Sequence, residues 1–459
     1  MGNVSTRALA PLVQRQRRHA RLLLALVLLY VAKKVFGPAL LSALMRWHYA
    51  RTAERPRLLY RATAANEKLL SRCVTMSAFM VCTSQKKYYP PWYLFNGHLQ
   101  TVGFAKETQA PQIAYKRQLL DMPDGGVVSL DWALLSDQAC TNIATEVSGT
   151  LPTSSSWLPD VDPARRTVLL LPGLTGGSPE VYIRRTIAGL HELGWQCVVL
   201  NARGCAQTPV KTAQLFCTAY TEDLRFVLKK LTEKYDFAHE AFIGVGFSMG
   251  SNVLVKYLGE EGDNSPLTGA ISVGNPFDLV KVAANLSATL FNRLTYDKLL
   301  NSNMRALFFN NSNAHEMFED YPGLNLEAVR ASRTVRDFDD SLTKVIFHYE
   351  TVDHFYEDAS SVKKLRDVRV PLLCISAEDD PISVRSAIPS RAEVEANPSV
   401  ILCVTKAGGH LAFYESPHDD ETQQDSVGES GDKQTPTMWT AKPIAEFAEA
   451  VRLSKLEGM

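Results

Sequence analysis

Five short segments of this chain are apolar along nearly their whole length: Thr167 to Leu171, Gln196 to Leu200, Ala241 to Val245, Pro371 to Ser376 and Ser399 to Thr405. A strand with one wet face alternates in polarity. A strand apolar throughout is buried on both faces, as in a parallel sheet covered by helices. Helical patterns lie between them, at Tyr182 to Leu193, Ala219 to Tyr235 and Ser251 to Leu258. That alternation specifies a doubly wound, mostly parallel α/β sheet. Gln118 to Leu120 and Val127 to Trp132 add two short strands around the turn Pro123-Asp124-Gly125-Gly126. With 46% apolar and 21% charged residues in 459, the chain has enough apolar surface for a large core, which excludes disorder as its main state.

The rhythm breaks between the strand Gly269 to Val273 and the one that opens at Pro371. The intervening stretch, about 279–364, is helical in pattern and rich in Asn, Phe and Asp. It reads as an inserted helical cap over the carboxyl edge of the sheet. Ser136 to Asp162 has the composition of a surface loop. Residues 416–437 are polar and acidic and read as a disordered insert ahead of a closing helix, Ala441 to Leu453. The domain itself is assigned to 88–459, with 47–87 as a connecting segment and 1–46 as a membrane-attachment segment.

The chemistry concentrates in three places. Gly246-Phe247-Ser248-Met249-Gly250 follows a strand and precedes a helical segment, the context of a nucleophile elbow. The glycines allow the tight turn that exposes the Ser248 hydroxyl, and the helix N-terminus behind it favours developing negative charge. A serine needs a base, and His410, in Ala407-Gly408-Gly409-His410-Leu411 after the strand at 399–405, is the candidate. His98 is its rival. An acid should orient that histidine. Asp379-Asp380-Pro381 follows another core strand, and the order Ser, Asp, His is that of an α/β-hydrolase. Asp380, next to Pro381-Ile382, is preferred and Asp379 is the alternative. An oxyanion hole would draw on the Met249 N–H and on the loop Pro172 to Ser178, with Leu174 N–H as the second donor. The spacing His315-x4-Asp320 superficially matches an acyltransferase pattern, but it falls in the cap and chance accounts for it.

The first residues, Met1-Gly2-Asn3-Val4-Ser5-Thr6, fit the pattern for myristoylation at Gly2. One acyl chain binds membranes only marginally and needs a second signal. Arg7, Arg15, Arg17, Arg18 and Arg21 supply a basic cluster, and Leu22 to Met45 is apolar apart from Lys33 and Lys34. Those lysines cost roughly 2.5–3.5 kcal/mol each at mid-bilayer, against about 0.3–0.6 gained per apolar residue. A single transmembrane helix and a peripheral myristoyl anchor are therefore evenly balanced. Sequons at Asn285 and Asn310 would be used only by a lumenal body.

Forty-nine basic and forty-nine acidic side chains give a formal net charge of zero, so global charge makes no case for nucleic acid. The eight cysteines include no CxxC pair, which leaves no zinc or thioredoxin-like motif and reads as buried thiols. No metal or organic cofactor is called for, and the oligomeric state is open.

Several motifs together resemble the fourth AB-hydrolase family, the membrane-linked α/β-hydrolase domain group of medium-chain ester synthase/esterases and phospholipase-like enzymes. They run from about Pro90 to Trp439. Among them are Asn96-Gly97-His98-Leu99-Gln100-Thr101, Asp124-Gly125-Gly126 with Leu130-Asp131-Trp132, and Leu171-Pro172-Gly173-Leu174-Thr175-Gly176-Gly177. Asn201-Ala202-Arg203-Gly204-Cys205, Thr221-Glu222-Asp223-Leu224, Asn275-Pro276-Phe277-Asp278 and Gly408-Gly409-His410 complete the set. Arg203, Asp223 and Asp278 are expected to hold loops. The residues and the resemblance imply a membrane-associated serine hydrolase, of the endoplasmic reticulum or another endomembrane, that acts on lipid esters. The apolar residues of the cap favour medium- or long-chain acyl glycerolipids. The alternatives are acyl transfer to an alcohol, or an inactive scaffold on a hydrolase fold.

Overall fold

The structure is a computed structural model. It describes residues 34, 37, 40, 43–44, 47–52, 55–74, 88–135, 153–154, 161–162, 164–237, 240–416 and 437–458. The chain divides into two units, Met1–Ala53 and Glu54–Met459. In the first, the described positions are helical. Gly2 and most of Leu22 to Met45 lie outside the described residues. Among those described, no helix is long and apolar enough to cross a membrane.

The second unit is built on ten strands. In chain order they are β1 (Arg57–Tyr60), β2 (Lys116–Asp121), β3 (Val127–Ala133), β4 (Thr153–Ser154), β5 (Thr167–Leu171), β6 (Gln196–Asn201), β7 (Phe242–Phe247), β8 (Gly269–Val273), β9 (Leu372–Ala377) and β10 (Val400–Thr405). Their order across the sheet is β1-β10-β9-β8-β7-β5-β6-β3-β2-β4. From β10 to β6 every neighbour is parallel. β3 pairs antiparallel to β6, β2 to β3, and β1 to β10. Every residue of β5 to β10 is buried, the burial their apolar sequences require.

Alternate residues of β5 feed two cores. Val168 and Leu170 pack with Ile183, Ile187, Ile444 and Phe447, on the face carrying helices Val181–Glu192 and Ala441–Leu456. Leu169 and Leu171 pack with Leu224, Leu228, Leu254 and Leu258, on the face carrying helices Glu222–Lys234 and Met249–Glu261. The period of two in a strand sends successive side chains to opposite faces. The chain leaves β5 for β6 on one side and returns to β7 on the other. Strand order thus reverses at β5, where open α/β sheets form a crevice at their carboxyl ends.

One boundary differs from the sequence reading. Residues 47–87 are not wholly a connection, because β1 caps the edge of the sheet beside β10 and the helix Ala64–Val74 places Leu69, Leu70 and Cys73 in the core. The strand is only four residues long, has one neighbour and carries no clean alternation, so its pattern was too short to read. The insert between β8 and β9 is helical throughout its regular elements, from Leu279–Ala288 to Ser361–Asp367. It has apolar clusters of its own around Phe308 and Phe318, and around Phe355. The acidic insert lies outside the described residues except at its base, where Tyr414–Glu415 pairs antiparallel with Thr437–Met438. The six described cysteines are buried and unbridged.

Arg203, 2% exposed, joins the β2–β3 turn to the start of helix Glu222–Lys234. It donates to both carboxylate oxygens of Asp223 at 2.8 and 2.7 Å and also grips Asp124. Removing one partner of a buried pair strands the other charge. Arg203→Met should therefore lower the unfolding free energy by about 3–5 kcal/mol in chemical denaturation. Asp124→Asn should cost about 1 kcal/mol or less, because the Asp124 side chain is 39% exposed.

Candidate active site

Four strands deliver the candidate residues from their carboxyl ends. β5 leads into Pro172-Gly173-Leu174, β7 into Ser248, β9 into Asp379-Asp380 and β10 into Gly408-Gly409-His410. Parallel strands put all four ends on one side of the sheet, so residues as much as 236 positions apart meet without any long excursion (410 − 174 = 236).

Ser248 sits at φ 50°, ψ −118°, a backbone conformation rare for a residue with a side chain. Its neighbours make this tolerable. A Cβ on Gly250 would lie 2.3 Å from the Pro172 carbonyl oxygen and 2.4 Å from that of Leu171, so only glycine lets helix Met249–Glu261 start against the end of β5. The Ser248 carbonyl caps that start, accepting from the Asn252 N–H at 3.1 Å and the Ser251 hydroxyl at 2.6 Å.

The Ser248 hydroxyl is 2.9 Å from His410 Nε2, and His410 Nδ1 is 2.9 Å from Asp380 Oδ2. A carboxylate only accepts, so Nδ1 carries the proton and Nε2 is left to accept from the serine. The other oxygen of Asp380 accepts from the Ile382 and Ser383 N–H groups, each at 2.8 Å. Pro381 has no N–H, so the turn offers its next two amides to one oxygen and leaves the second for the histidine. Asp379, the alternative acid, does different work. Its Oδ1 accepts from the Gly409 N–H at 2.9 Å, which braces the histidine loop. Burial, with Asp380 adjacent, pushes its pKa up to about 6.

A second brace comes from Asn96-Gly97-His98-Leu99-Gln100-Thr101, whose place in the site sequence reasoning missed. Asn96 caps helix Gly97–Ala105 by accepting from the Leu99 N–H. A Cβ on Gly97 would lie 1.8 Å from the Asp379 carbonyl oxygen. This contact seats the helix against the acid loop. The Thr101 hydroxyl accepts from the His410 N–H at 2.9 Å and donates to the Gly97 carbonyl, and the Gln100 oxygen accepts from the Tyr414 N–H. The signal was present as a motif, but its function depends on contacts some 300 residues away (410 − 101 = 309). His98 stays out of the hydrogen-bonded chain. It is exposed, stacks on Tyr296 of the cap and holds its hydroxyl at 2.7 Å.

The Gly173 N–H donates to the Tyr182 hydroxyl at 2.9 Å, which leaves Leu174 as the next amide of that loop. Leu174, Ser248, Met249 and His410 line one cavity. Buried polar groups fix the far end of the loop. The Ser178 N–H donates to Asn201, and Asp131 accepts from the Ser178 hydroxyl, the Asn201 amide and the Nε and Nη2 of Arg117. Asp278 accepts from the Lys281 N–H and so caps the first cap helix. The Asn285 amide donates to the Pro381 carbonyl at 2.9 Å, tying that helix to the acid loop. His315 packs on Phe308 and Phe309 while Asp320 is exposed, so that pair forms no site.

The cavity above Ser248 measures about 630 Å³ and is mostly apolar, with Val282, Leu286, Leu300, Met304, Phe308 and Leu342 in its wall. Asp339 is one of its buried polar features, with Asp297 and Thr343. It accepts from Thr343 at 2.7 Å and Tyr356 at 2.9 Å, and burial pushes its pKa up to about 6. No cluster of metal-binding side chains occurs among the described residues.

The sequence profile described as alpha/beta hydrolase fold matches residues 166–417. The chain belongs to the α/β-hydrolase fold family. As a hydrolase it has relatives across its length. Embryogenesis-associated protein EMB8 of Picea glauca is 33% identical over 410 residues, covering 89% of this chain and 80% of that protein. Phospholipase ABHD3 of Homo sapiens is 31% identical over 369 residues, covering 80% and 82%. Monoacylglycerol lipase of Saccharomyces cerevisiae is 31% identical over 375 residues, covering 77% and 78%. The hydrolase therefore falls within the α/β-hydrolase domain group that its motifs resemble.

The two adjacent carboxyls should separate by experiment. Asp380→Asn should lower kcat by about 10⁴, because an amide favours the wrong imidazole tautomer. Asp379→Asn keeps an acceptor for Gly409 and should stay within about tenfold of the parent. Asp379 is raised from 3.8 to about 6 on folding, so its neutral form is favoured in the fold. Its contribution is intact below pH 3.8 and is lost as pH rises past about 6. Asp379→Asn should therefore be the more stable protein at pH 8, by at most about 3 kcal/mol, with the gap closing towards pH 4. Thermal melts across that range check it.

Proposed function

We propose that this chain is a membrane-associated serine hydrolase that cleaves medium- or long-chain acyl esters of glycerolipids through an acyl-enzyme on Ser248. The observation that carries the reading is the hydrogen-bonded line Ser248–His410–Asp380 opening into an apolar cavity of about 630 Å³. His410 Nε2 takes the serine proton as Oγ attacks the ester carbonyl carbon. The Leu174 and Met249 N–H groups receive the charge that develops on the carbonyl oxygen. Asp380 holds the Nδ1 proton and stabilises the imidazolium. The imidazolium then protonates the leaving alcohol, and a water repeats the sequence on the acyl-enzyme to release the acid.

Two kinds of support bear on the substrate. Relatives are named a phospholipase and a monoacylglycerol lipase. The wall of the cavity is also aliphatic and aromatic, a suitable lining for an acyl chain. Transfer of the acyl group to a small alcohol in place of water uses the same intermediate, and product analysis with added ethanol measures its share. Membrane attachment is assigned to residues 1–46, through the basic cluster, the apolar segment and myristate on Gly2.

Ser248→Ala should abolish labelling by a fluorophosphonate and reduce ester hydrolysis by several powers of ten, with the circular dichroism spectrum unchanged. Full activity in a pure preparation of that variant overturns the assignment. On p-nitrophenyl esters of two to sixteen carbons, kcat/KM should rise about fourfold per methylene until the cavity is full, from about 0.8 kcal/mol per buried CH₂. Met304→Trp, which narrows the wall, should move the optimum to shorter chains. An optimum at acetate in the parent would reduce the reading to a generic carboxylesterase. Gly2→Ala should remove myristate and weaken sedimentation with membranes, and deletion of 1–46 should release most of the protein.

A further inference from the structure

We propose that the cap and the helix Gly97–Ala105 together form a second lipid-docking face, one that seats a mouth of the cavity on an anionic bilayer surface. Two separate stretches of the catalytic unit leave large apolar side chains in water. In the cap, Leu290, Phe291 and Leu294 are 69, 53 and 61% exposed, and before and within the helix Tyr93, Phe95 and Leu99 are 47, 60 and 37% exposed. Single exposed residues of this kind are ordinary, but a joined patch is not. These two stretches are joined. The His98 ring lies edge-on to Phe291 at 5.2 Å and stacked on Tyr296 at 5.7 Å, with a 2.7 Å hydrogen bond to the Tyr296 hydroxyl.

Along the cap stretch the exposed charge is basic. Between Leu279 and His315 the only acid in the sequence is Asp297, which is 3% exposed and accepts from the Val335 N–H. Arg293 and Lys298 are exposed on the same stretch and form no ion pair with any described residue. Exposed Leu and Phe interleaved with unpaired Arg and Lys is the composition of an element that lies in the headgroup region of anionic lipid. Val280, Ala284, Ser287 and Arg293 of the same cap stretch line the cavity and are exposed, as are the ion-paired Arg336 and Asp353. The stretch that carries Leu290, Phe291 and Leu294 thus also carries exposed cavity-lining residues, so on this proposal a lipid whose acyl chains lie in the bilayer enters the cavity from the surface on which the protein rests. The proposal depends on the lipid-ester reading only for the choice of a lipid surface over a protein as the occupant.

Hydrogen exchange of the full chain on phosphatidylcholine vesicles, with and without phosphatidylserine, tests it without relying on catalysis. Residues 92–102 and 288–299 should exchange more slowly on vesicles, more so with phosphatidylserine. The triple variant L290S/F291S/L294S should lose that protection. Unchanged exchange on vesicles overturns the proposal. So does protection without vesicles that grows with protein concentration, which makes the occupant a second copy. Protection without vesicles that vanishes on deleting residues 1–46 makes the occupant the chain's own N-terminal segment and also overturns it. In a kinetic arm, the triple variant should keep the parent rate on a soluble butyrate ester and lose at least tenfold on the same acyl chemistry presented in vesicles. Equal rates on vesicles overturn the docking face. Loss of both rates in the parent would instead sink the esterase reading, while the exchange measurement would still decide the surface.

Discussion

The close approach between the start of helix Met249–Glu261 and the end of β5 governs this site. Only a residue without a side chain fits at position 250, where a Cβ would lie 2.3 Å from a carbonyl oxygen. That approach holds Ser248 at φ 50°, a conformation it would not keep in isolation. Strand burial anchors both sides, since β5 and β7 pair from Thr167–Phe242 to Leu171–Gly246. Strain is therefore held at the residue whose hydroxyl must stand clear of the backbone, as it is at Thr175, Leu411 and Phe413 in the neighbouring loops. The same approach brings the loop after β5 beside the serine, with a Gly173 Cβ position 3.3 Å from that of Ser248. The proposed nucleophile and the loop proposed to supply an oxyanion donor are thus placed by a single packing constraint.

An oxyanion hole works only if its amides do not have to reorganise as charge develops. For the proposed hole, the buried polar network behind the loop would meet that requirement. Asp131 is fully buried, yet it is satisfied by Arg117, Ser178 and Asn201. Replacing such a network by well-packed apolar groups is often neutral for stability, so its value lies in fixing one arrangement. The histidine loop is held by the same logic from the opposite side, with the Thr101 hydroxyl and the Asp379 carboxylate each taking one of its amides. Two adjacent aspartates are thereby assigned by what lies opposite them. Asp380 faces an imidazole, and Asp379 faces a backbone amide.

Much of this was legible in the sequence because the chemistry hangs on strand ends. Continuous apolar runs marked β5 to β10, and each candidate follows one of them by a few residues. The preference for Asp380 over Asp379 rested only on its place before Pro381-Ile382; the contacts that tell the two apart lie on the histidine loop. The roles of Thr101, Gln100 and Tyr182 were not legible. Each acts through one hydrogen bond to a residue of another element, and no local pattern encodes the partner. Strand β1 escaped for another reason. Four residues, RLLY, with one neighbouring strand, show neither alternation nor a continuous apolar run.

The cap was legible as a helical insert, but its inner face was not, for a geometric reason. Three five-residue segments, Arg293–Asp297, Leu307–Asn311 and Asp339–Thr343, are wound with the wider i→i+5 spacing. Each such segment adds a residue to a turn and rotates every later side chain by about 100° relative to the regular period. A reading by threes and fours therefore loses the inner face at each of them. All three contribute to the cavity wall, through Arg293, Leu307 and Asp339 among others. The consequence is a division of labour. The geometry of the proposed triad is fixed by backbone approaches that tolerate only glycine, and by amides with single partners. The lumen is set by side chains on short helices bound to the acid loop and to the helix Gly97–Ala105 by a few bonds, such as Asn285 to Pro381 and Tyr296 to His98. Side-chain volume in such a cap can change without moving a strand end, so on the proposed reading acyl selectivity would be separable from catalytic power.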